Sequence, residues 1–430
     1  MQPHWPLWRR LLFRFFFIYL VLFMQPWTWL DRAVPGVSVI TQPYYTAVDW
    51  LVNKTNQWFF HVKDVLVPLG GSGDTSYGWA QLWLLLSISF VGMIVWSVIQ
   101  RNKKEYTKLN YWLCLFTRYY VALVLFSYGI IKLFALQMPF PNYSELATPL
   151  GDFLPMRLSW MFIGYSTPYQ VFSGLMEVVA GLLLLYRRTA TLGALVATGV
   201  FMNVAAMNLS YDIPVKIYSL QMVIACLFLL AVEMDRILCF FVFNRPANAC
   251  SVYHFPFEKK WTKWTRVGLK LLFIGVAVGS VLWESIDWYK QDKNSAQNMP
   301  FEAGVYEVTH YAVNNDTIAP LLTDSLRWRD VIFDNGRRGS ISTSDTTFRR
   351  VYNRAYFSYK ADTVKRTLNF LRRFADSIPA IALQYRIEDA NTIRFWGHRK
   401  ADSISFVLKK SPRHFQLAEK QFHWLSESNR

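Results

Sequence analysis

Apolar runs of about 18 to 25 residues recur along this chain, and that length fills the ~30 Å hydrocarbon core of a bilayer. About seven of them read as transmembrane helices: residues 11–30, 79–100, 112–136, 169–186, 190–209, 215–232 and 267–288. In a chain that is 53% hydrophobic and 17% aromatic, the apolar residues come in long runs rather than in amphipathic alternation. The fold class expected is a polytopic α-helical membrane protein.

A net charge of +17 would point a soluble chain toward nucleic acid. Here the cations fall in loops instead. Arg9, Arg10 and Arg14, then Arg101, Lys103, Lys104 and Lys108, then Arg187 and Arg188, then Arg236, Arg245, Lys259, Lys260, Lys263 and Arg266 share one side of a seven-span arrangement. Positive loops stay in the cytoplasm, so the N-terminus is expected inside, everything after Trp288 outside, and nucleic acid is no partner. The first run has no small-residue cleavage site at Gln25-Pro26-Trp27, so a retained span is expected rather than a signal peptide. Cys114, Cys226, Cys239 and Cys250 lie in spans or on the cytoplasmic side, which implies no disulfide framework and no metal site. His4, His61, His254, His310, His398, His414 and His423 all fall outside the spans, so no haem is indicated.

Four segments follow. Residues 1–111 hold two spans and an outer loop, 39–66, whose Tyr44, Tyr45, Trp50, Trp58, Phe59 and Phe60 predict an amphipathic helix lying at the headgroup layer. The loop then runs through Leu69-Gly70-Gly71-Ser72-Gly73-Asp74-Thr75, which reads as a flexible turn or as the outer mouth of a cavity lined by Asp74 and Thr75. Residues 112–246 hold four spans joined by turns as short as Arg187-Arg188-Thr189, a length that makes consecutive helices antiparallel neighbours. Residues 247–297 hold a cytoplasmic loop, the last span and a linker.

Residues 298–430 alternate apolar and polar positions, as in Val305-Tyr306-Glu307-Val308-Thr309, with turn residues such as Asp334-Asn335-Gly336 between. About eight short antiparallel strands in an extracytoplasmic all-β domain are expected, closed as a small barrel or stacked as a sandwich. Residues 363–374 fit a helix or a strand. Arg327, Trp328, Arg329, Arg337, Arg338, Arg349 and Arg350 read as a basic, aromatic surface facing solvent, lipid headgroups or an acidic partner. Trp396, Phe422 and Trp424 read as core aromatics, with a barrel interior holding an apolar ligand as the alternative.

Arg118, Tyr128-Gly129-Ile130-Ile131-Lys132-Leu133-Phe134, Glu177-Val178-Val179-Ala180-Gly181-Leu182-Leu183-Leu184 and Gly193-Ala194-Leu195 resemble the four-span DoxX-like family across residues 112–246. Gly71-Ser72-Gly73-Asp74-Thr75, Tyr211-Asp212-Ile213-Pro214-Val215-Lys216 and Phe422-His423-Trp424-Leu425-Ser426-Glu427 resemble its long bacterial forms, with extra N-terminal spans and a C-terminal β domain. The resemblance implies a multi-pass protein of the bacterial inner membrane with a periplasmic β domain. Because the family is named after a subunit of a thiosulfate:quinone oxidoreductase, quinone is the cofactor class implied. Membrane lipid and a membrane or periplasmic protein are the partner classes.

Ionisable groups at membrane depth are site candidates by default. Lys132 is expected a turn and a half below the outer surface and Glu177 roughly 13 Å below the start of its helix, within reach of a lysine stem. Such a pair fixes helix order, or clamps a polar ligand and passes a proton. Tyr128, Asn203, Asn208, Asp212, Lys216, Asp74 and Arg118 complete the expected outer-leaflet pocket, with Asp212 also placed to cap the helix that follows it and Arg118 to snorkel.

Overall fold

The computed structural model describes residues 4–29, 31, 36–67, 73–246, 259–297, 299–320, 327–343, 346–399, 401–419 and 424. Gly70, Gly71, Ser72, Cys250, His254, Phe422, His423, Leu425, Ser426 and Glu427 lie outside them. Helices run in the order α1 (Leu7–Met24), α2 (Val37–Thr55), α3 (Ser76–Ile99), α4 (Thr107–Leu133), α5 (Tyr143–Leu146), α6 (Pro155–Tyr165), α7 (Thr167–Leu185), α8 (Ala190–Ser210), α9 (Lys216–Val232), α10 (Met234–Phe241) and α11 (Lys260–Gln297). Ten strands follow: β1 (Gly304–Val313), β2 (Asp316–Thr317), β3 (Asp330–Asp334), β4 (Arg338–Ile341), β5 (Arg349–Val351), β6 (Arg354–Asp362), β7 (Thr367–Leu371), β8 (Ile381–Asp389), β9 (Thr392–Arg399) and β10 (Asp402–Lys410). A short α12 (Gln416–Glu419) comes last.

The chain forms two compact units, one of Met1–Met138 with Ser166–Ile286, the other of Pro139–Tyr165 with Asp287–Arg430. It therefore passes from one to the other three times. Among the described residues, five helices are long and apolar enough to cross a membrane: α3, α4, α7, α8 and α11. These mark a membrane protein. The 17-residue α9 is shorter, and α1 carries Arg9, Arg10 and Arg14 within its 18 residues. Helix α1 also ends at Met24 rather than near residue 30, because Gln25 turns left-handed (φ 45°) just before Pro26. The helix expected in the loop 39–66 is α2, extended by a π-helical turn Asn56–Phe60 and held to α3 through Val52, Leu66, Ala80 and Leu84.

Within the first unit, α4 and α7 pack antiparallel at close range. A Cβ added at Gly174 would stand 2.6 Å from the Gly129 carbonyl oxygen and 2.7 Å from Lys132 Cβ, and one at Gly181 would stand 2.9 Å from the Phe126 ring. Glycine at these contacts brings the backbones together, which is how helices gain packing energy in lipid, where apolar burial gives none. Helix α8 returns on α7 in the same way, Gly193 lying against Leu183 and Leu184.

In the second unit, β1, β3, β4, β6, β7, β8, β9 and β10 close an eight-stranded antiparallel barrel, with β10 pairing back onto β1. Of the barrel and the sandwich, the barrel is the one formed. Strands β2 and β5 pair with β1 and β6 at its margins. Residues 363–374 are a turn followed by β7. Alternation aims Tyr306, Phe333, Phe357, Tyr359, Phe370, Phe395 and Phe406 inward, where they stack on one another and on Trp328, which precedes β3. Each buried ring contributes about 1.5 to 3 kcal/mol, and together they fill the interior.

Four expectations change here. Trp396 is partly exposed, because Phe395 beside it takes the inward position on β9, and Trp424 is 92% exposed. Trp328 belongs to the core rather than to a surface. Arg327 is buried with it, donating to the Ile318 and Val308 carbonyls.

Residues 139–165, sequence-distant from the barrel, run along its outer wall. The outward positions Ile332, Asp334, Ser340 and Arg354 are consequently buried, although outward sheet positions are ordinarily solvated.

Candidate functional site

The register of α4 against α7 builds the site. Gly129 and Lys132 are one turn apart on α4, as Gly174 and Glu177 are on α7, and each glycine lies against the charged residue of the other helix. The space so opened lets Lys132 Nζ reach Glu177 Oε1 in an ion pair, with both residues buried. Such pairing reduces the cost of holding either charge at membrane depth, about 2.5 to 3.5 kcal/mol alone on insertion scales. Glu177 Oε2, however, is buried with no hydrogen-bond partner among the described residues. The pair is half satisfied.

One turn and a further turn up α7 from Glu177 and Gly174 stands Gln170, which the sequence reading missed. Its amide accepts from Met138 N at 3.0 Å and donates to Met138 O at 2.8 Å, clamping the chain where it leaves α4. A polar glutamine inside an apolar run, in register with Gly174 and Glu177 (positions 170, 174, 177), is the signal in the sequence that could have found it.

Asp74, Asp212 and Lys216 meet elsewhere in this unit. Lys216 Nζ lies 2.6 Å from Asp212 Oδ1 and 3.7 Å from Asp74 Oδ2. Helix α9 is capped by Asp74 and not by Asp212: Lys216 N donates to Asp74 Oδ2 at 2.7 Å and Ile217 N to Oδ1 at 3.0 Å. Asp212 has a left-handed backbone (φ 50°) and a side chain 82% exposed, so it turns away from the helix start. Asn208 is buried and donates to the Val215 carbonyl at 3.3 Å and to Ser219 Oγ at 3.0 Å, tying α8 to α9.

Asn203 and Tyr128 are exposed on the outside of their helices. Arg118 precedes Lys132 by about 21 Å along α4, with its guanidinium over the Tyr119 ring. The nine residues expected in one pocket thus fall into a paired centre, a capped turn and outlying positions. Among the described residues, no group of three His, Cys, Asp or Glu is placed to hold a metal.

The second unit has its own buried polar chain, also missed from sequence. Ser144 donates through N (2.9 Å) and Oγ (2.5 Å) to the two oxygens of Asp334. Ser340 Oγ donates to Ser144 Oγ at 2.7 Å, Arg354 Nε donates to Ser340 Oγ at 2.7 Å, and Arg354 pairs with Asp330. Burial pushes the Asp334 carboxyl up to about 6, against the Ser144 hydrogen bonds and the Arg354 charge, which hold it down. Asn142 and Glu145 form a capping box on α5, and Arg157 pairs with Glu145. That box, Asn-x-x-Glu, was the readable sign of ordered structure in 139–165.

Fold and site together define a helical membrane protein that carries a closed β-barrel and a buried lysine–glutamate pair. The chain is 34% identical over 119 residues to the uncharacterized protein YwoB of Bacillus subtilis (strain 168), an alignment covering 28% of this chain and 74% of YwoB. It belongs to the YwoB family. No family profile matches the chain, and no solved structure matches it.

Proposed function

We propose that this is a DoxX-like multi-pass protein of the bacterial inner membrane, N-terminus in the cytoplasm and barrel in the periplasm, whose Lys132–Glu177 pair contacts a quinone or another small molecule of redox chemistry. The observation that carries this is the orphaned Glu177 Oε2. A buried carboxylate oxygen without a donor costs stability, and a ligand hydroxyl would supply the donor. The residues fit the group at both oxidation levels: Lys132 Nζ can donate to a quinone carbonyl, and Glu177 Oε2 can accept from a quinol hydroxyl. A bound quinone supplies two-electron, two-proton chemistry. The chain's part is to hold the ring oxygen and exchange its proton.

A second reading, favoured by the Ser144–Asp334 clamp, makes the helices a non-catalytic anchor. In it the strap 139–165 presents the barrel to lipid or to a protein partner.

Native mass spectrometry of detergent-extracted protein tests the first reading. A co-purifying small molecule lost in Glu177→Gln is expected, and repeated extraction without one sinks the redox role and leaves the anchor. Orientation is tested by fusions after residue 298: alkaline phosphatase should be active there and a cytoplasm-dependent fluorescent protein dark, and the reverse pattern would overturn the topology.

A further inference from the structure

We propose that the end of the helical unit where α1 meets the α3–α4 turn binds the phosphate of an anionic lipid headgroup, with Arg10 as the contacting group and the buried charge of Arg14 behind it. Arg14 is 2% exposed, yet its guanidinium meets only neutral acceptors. Its Nε and Nη2 donate to Tyr106 Oη at 3.0 and 2.9 Å, Nη1 to Ser97 Oγ at 2.7 Å, and Nη2 also to the Gln100 carbonyl at 3.0 Å. Among the described residues no carboxylate pairs with it. Glu105, the acid of this turn, is engaged by the Thr107 hydroxyl. A buried cation without a counter-ion is costly.

Arg10 stands one turn earlier on the same face. Its Nη1 donates to the Lys103 carbonyl at 3.0 Å, while its Nε is buried and finds no acceptor among the described residues. Around the two arginines Arg9, Arg101, Lys103, Lys104 and Lys108 are exposed. The frame is preformed, since Trp5 N donates to the Lys104 carbonyl at 3.2 Å and Arg9 stacks over the Trp5 ring at 4.5 Å.

One ligand chemistry answers all of this: a phosphate, whose oxygens accept charge-assisted hydrogen bonds from the Arg10 guanidinium and offset the positive potential of Arg14 behind it. The source is a lipid rather than free phosphate because the cations border exposed apolar side chains, Leu7, Trp8 and Leu12 on α1. Tryptophan beside clustered Lys and Arg is the composition of a surface facing anionic headgroups. The inference rests on the membrane reading of the helical unit.

Purified full-length protein is relipidated with phosphatidylglycerol, phosphatidylcholine or inorganic phosphate, and retained adducts are counted by native mass spectrometry. Phosphatidylglycerol should be retained over phosphatidylcholine, and Arg10→Gln should cut that retention roughly tenfold, the loss expected of one charge-assisted contact. Because Arg10 is only partly buried, this variant should fold. Lys103→Gln with Lys104→Gln should reduce retention in the same direction, while Lys263→Gln with Arg266→Gln, two cations removed from α11, should leave it unchanged. Equal retention of the two lipids, equal loss in the α11 variant, or inorganic phosphate competing as well as the lipid would each overturn the proposal. Release of wild-type protein from membranes by carbonate would instead sink the membrane reading, whereas protein held in the membrane without lipid preference sinks the headgroup site alone.

Discussion

Gly174 is the residue that admits Lys132 to the interior: a Cβ there would stand 2.7 Å from Lys132 Cβ, closer than carbon atoms approach. Gly174→Ala should therefore push α4 from α7 and lower the thermal midpoint by several degrees, an overpacking cost of about 1 to 3 kcal/mol. Gly199→Ala, on α8 with open space around it, is the comparison and should change little. Equal midpoints for the two variants would show that the α4–α7 contact is looser than described.

The pair itself is expected to behave as a coupled unit. Lys132→Met and Glu177→Gln should each lower stability, since each leaves the other charge without its partner. The double variant should recover stability but not ligand retention. A double variant as unstable as the two losses added together would mean that the residues do not interact, and the shared site would have to be given up.

Much of this was legible. Lys132 and Glu177 stand out because a charge inside an apolar run has few places to go, and the alternation along 298–430 announced antiparallel strands. What was hidden depends on partners far apart in sequence. Asp212 lies four residues before Lys216 and looked like its helix cap, yet Asp74, 142 residues away, does that work. Ser144 and Asp334 are 190 residues apart, and the turn Asp334-Asn335-Gly336 gave no sign that its first residue was buried. Outward strand positions read as solvated until the strap 139–165 covers them.

Asp74 and Asp212 can be told apart directly. Asp74→Ala removes two hydrogen bonds from the first turn of α9 and should cost about 1 to 2 kcal/mol. Asp212→Ala removes a surface ion pair and should cost less than about 0.5 kcal/mol. Thermal denaturation of both variants in one detergent would measure the difference, and a larger loss from Asp212→Ala would restore Asp212 as the cap.

Asp334 gives the barrel unit a pH dependence whose sign follows from burial. Its carboxyl titrates near 6 in the folded protein against an ordinary value of 3.8, so between these values the folded state holds a proton that the unfolded state has released. The contribution to stability is fully present below pH 3.8 and is lost as pH rises through about 6, a change on the order of 3 kcal/mol. Other carboxylates titrate in the same window, so the informative quantity is the difference between wild type and Asp334→Asn, which carries no titrating group at this position. Amide exchange at residues 143–148, where Ser144 N–H donates to Asp334, should slow in wild type relative to the variant as pH falls from 7 to 5, after correction for intrinsic exchange. Parallel pH profiles for the two proteins would show that Asp334 stays ionised throughout, with the two Ser144 hydrogen bonds outweighing its burial.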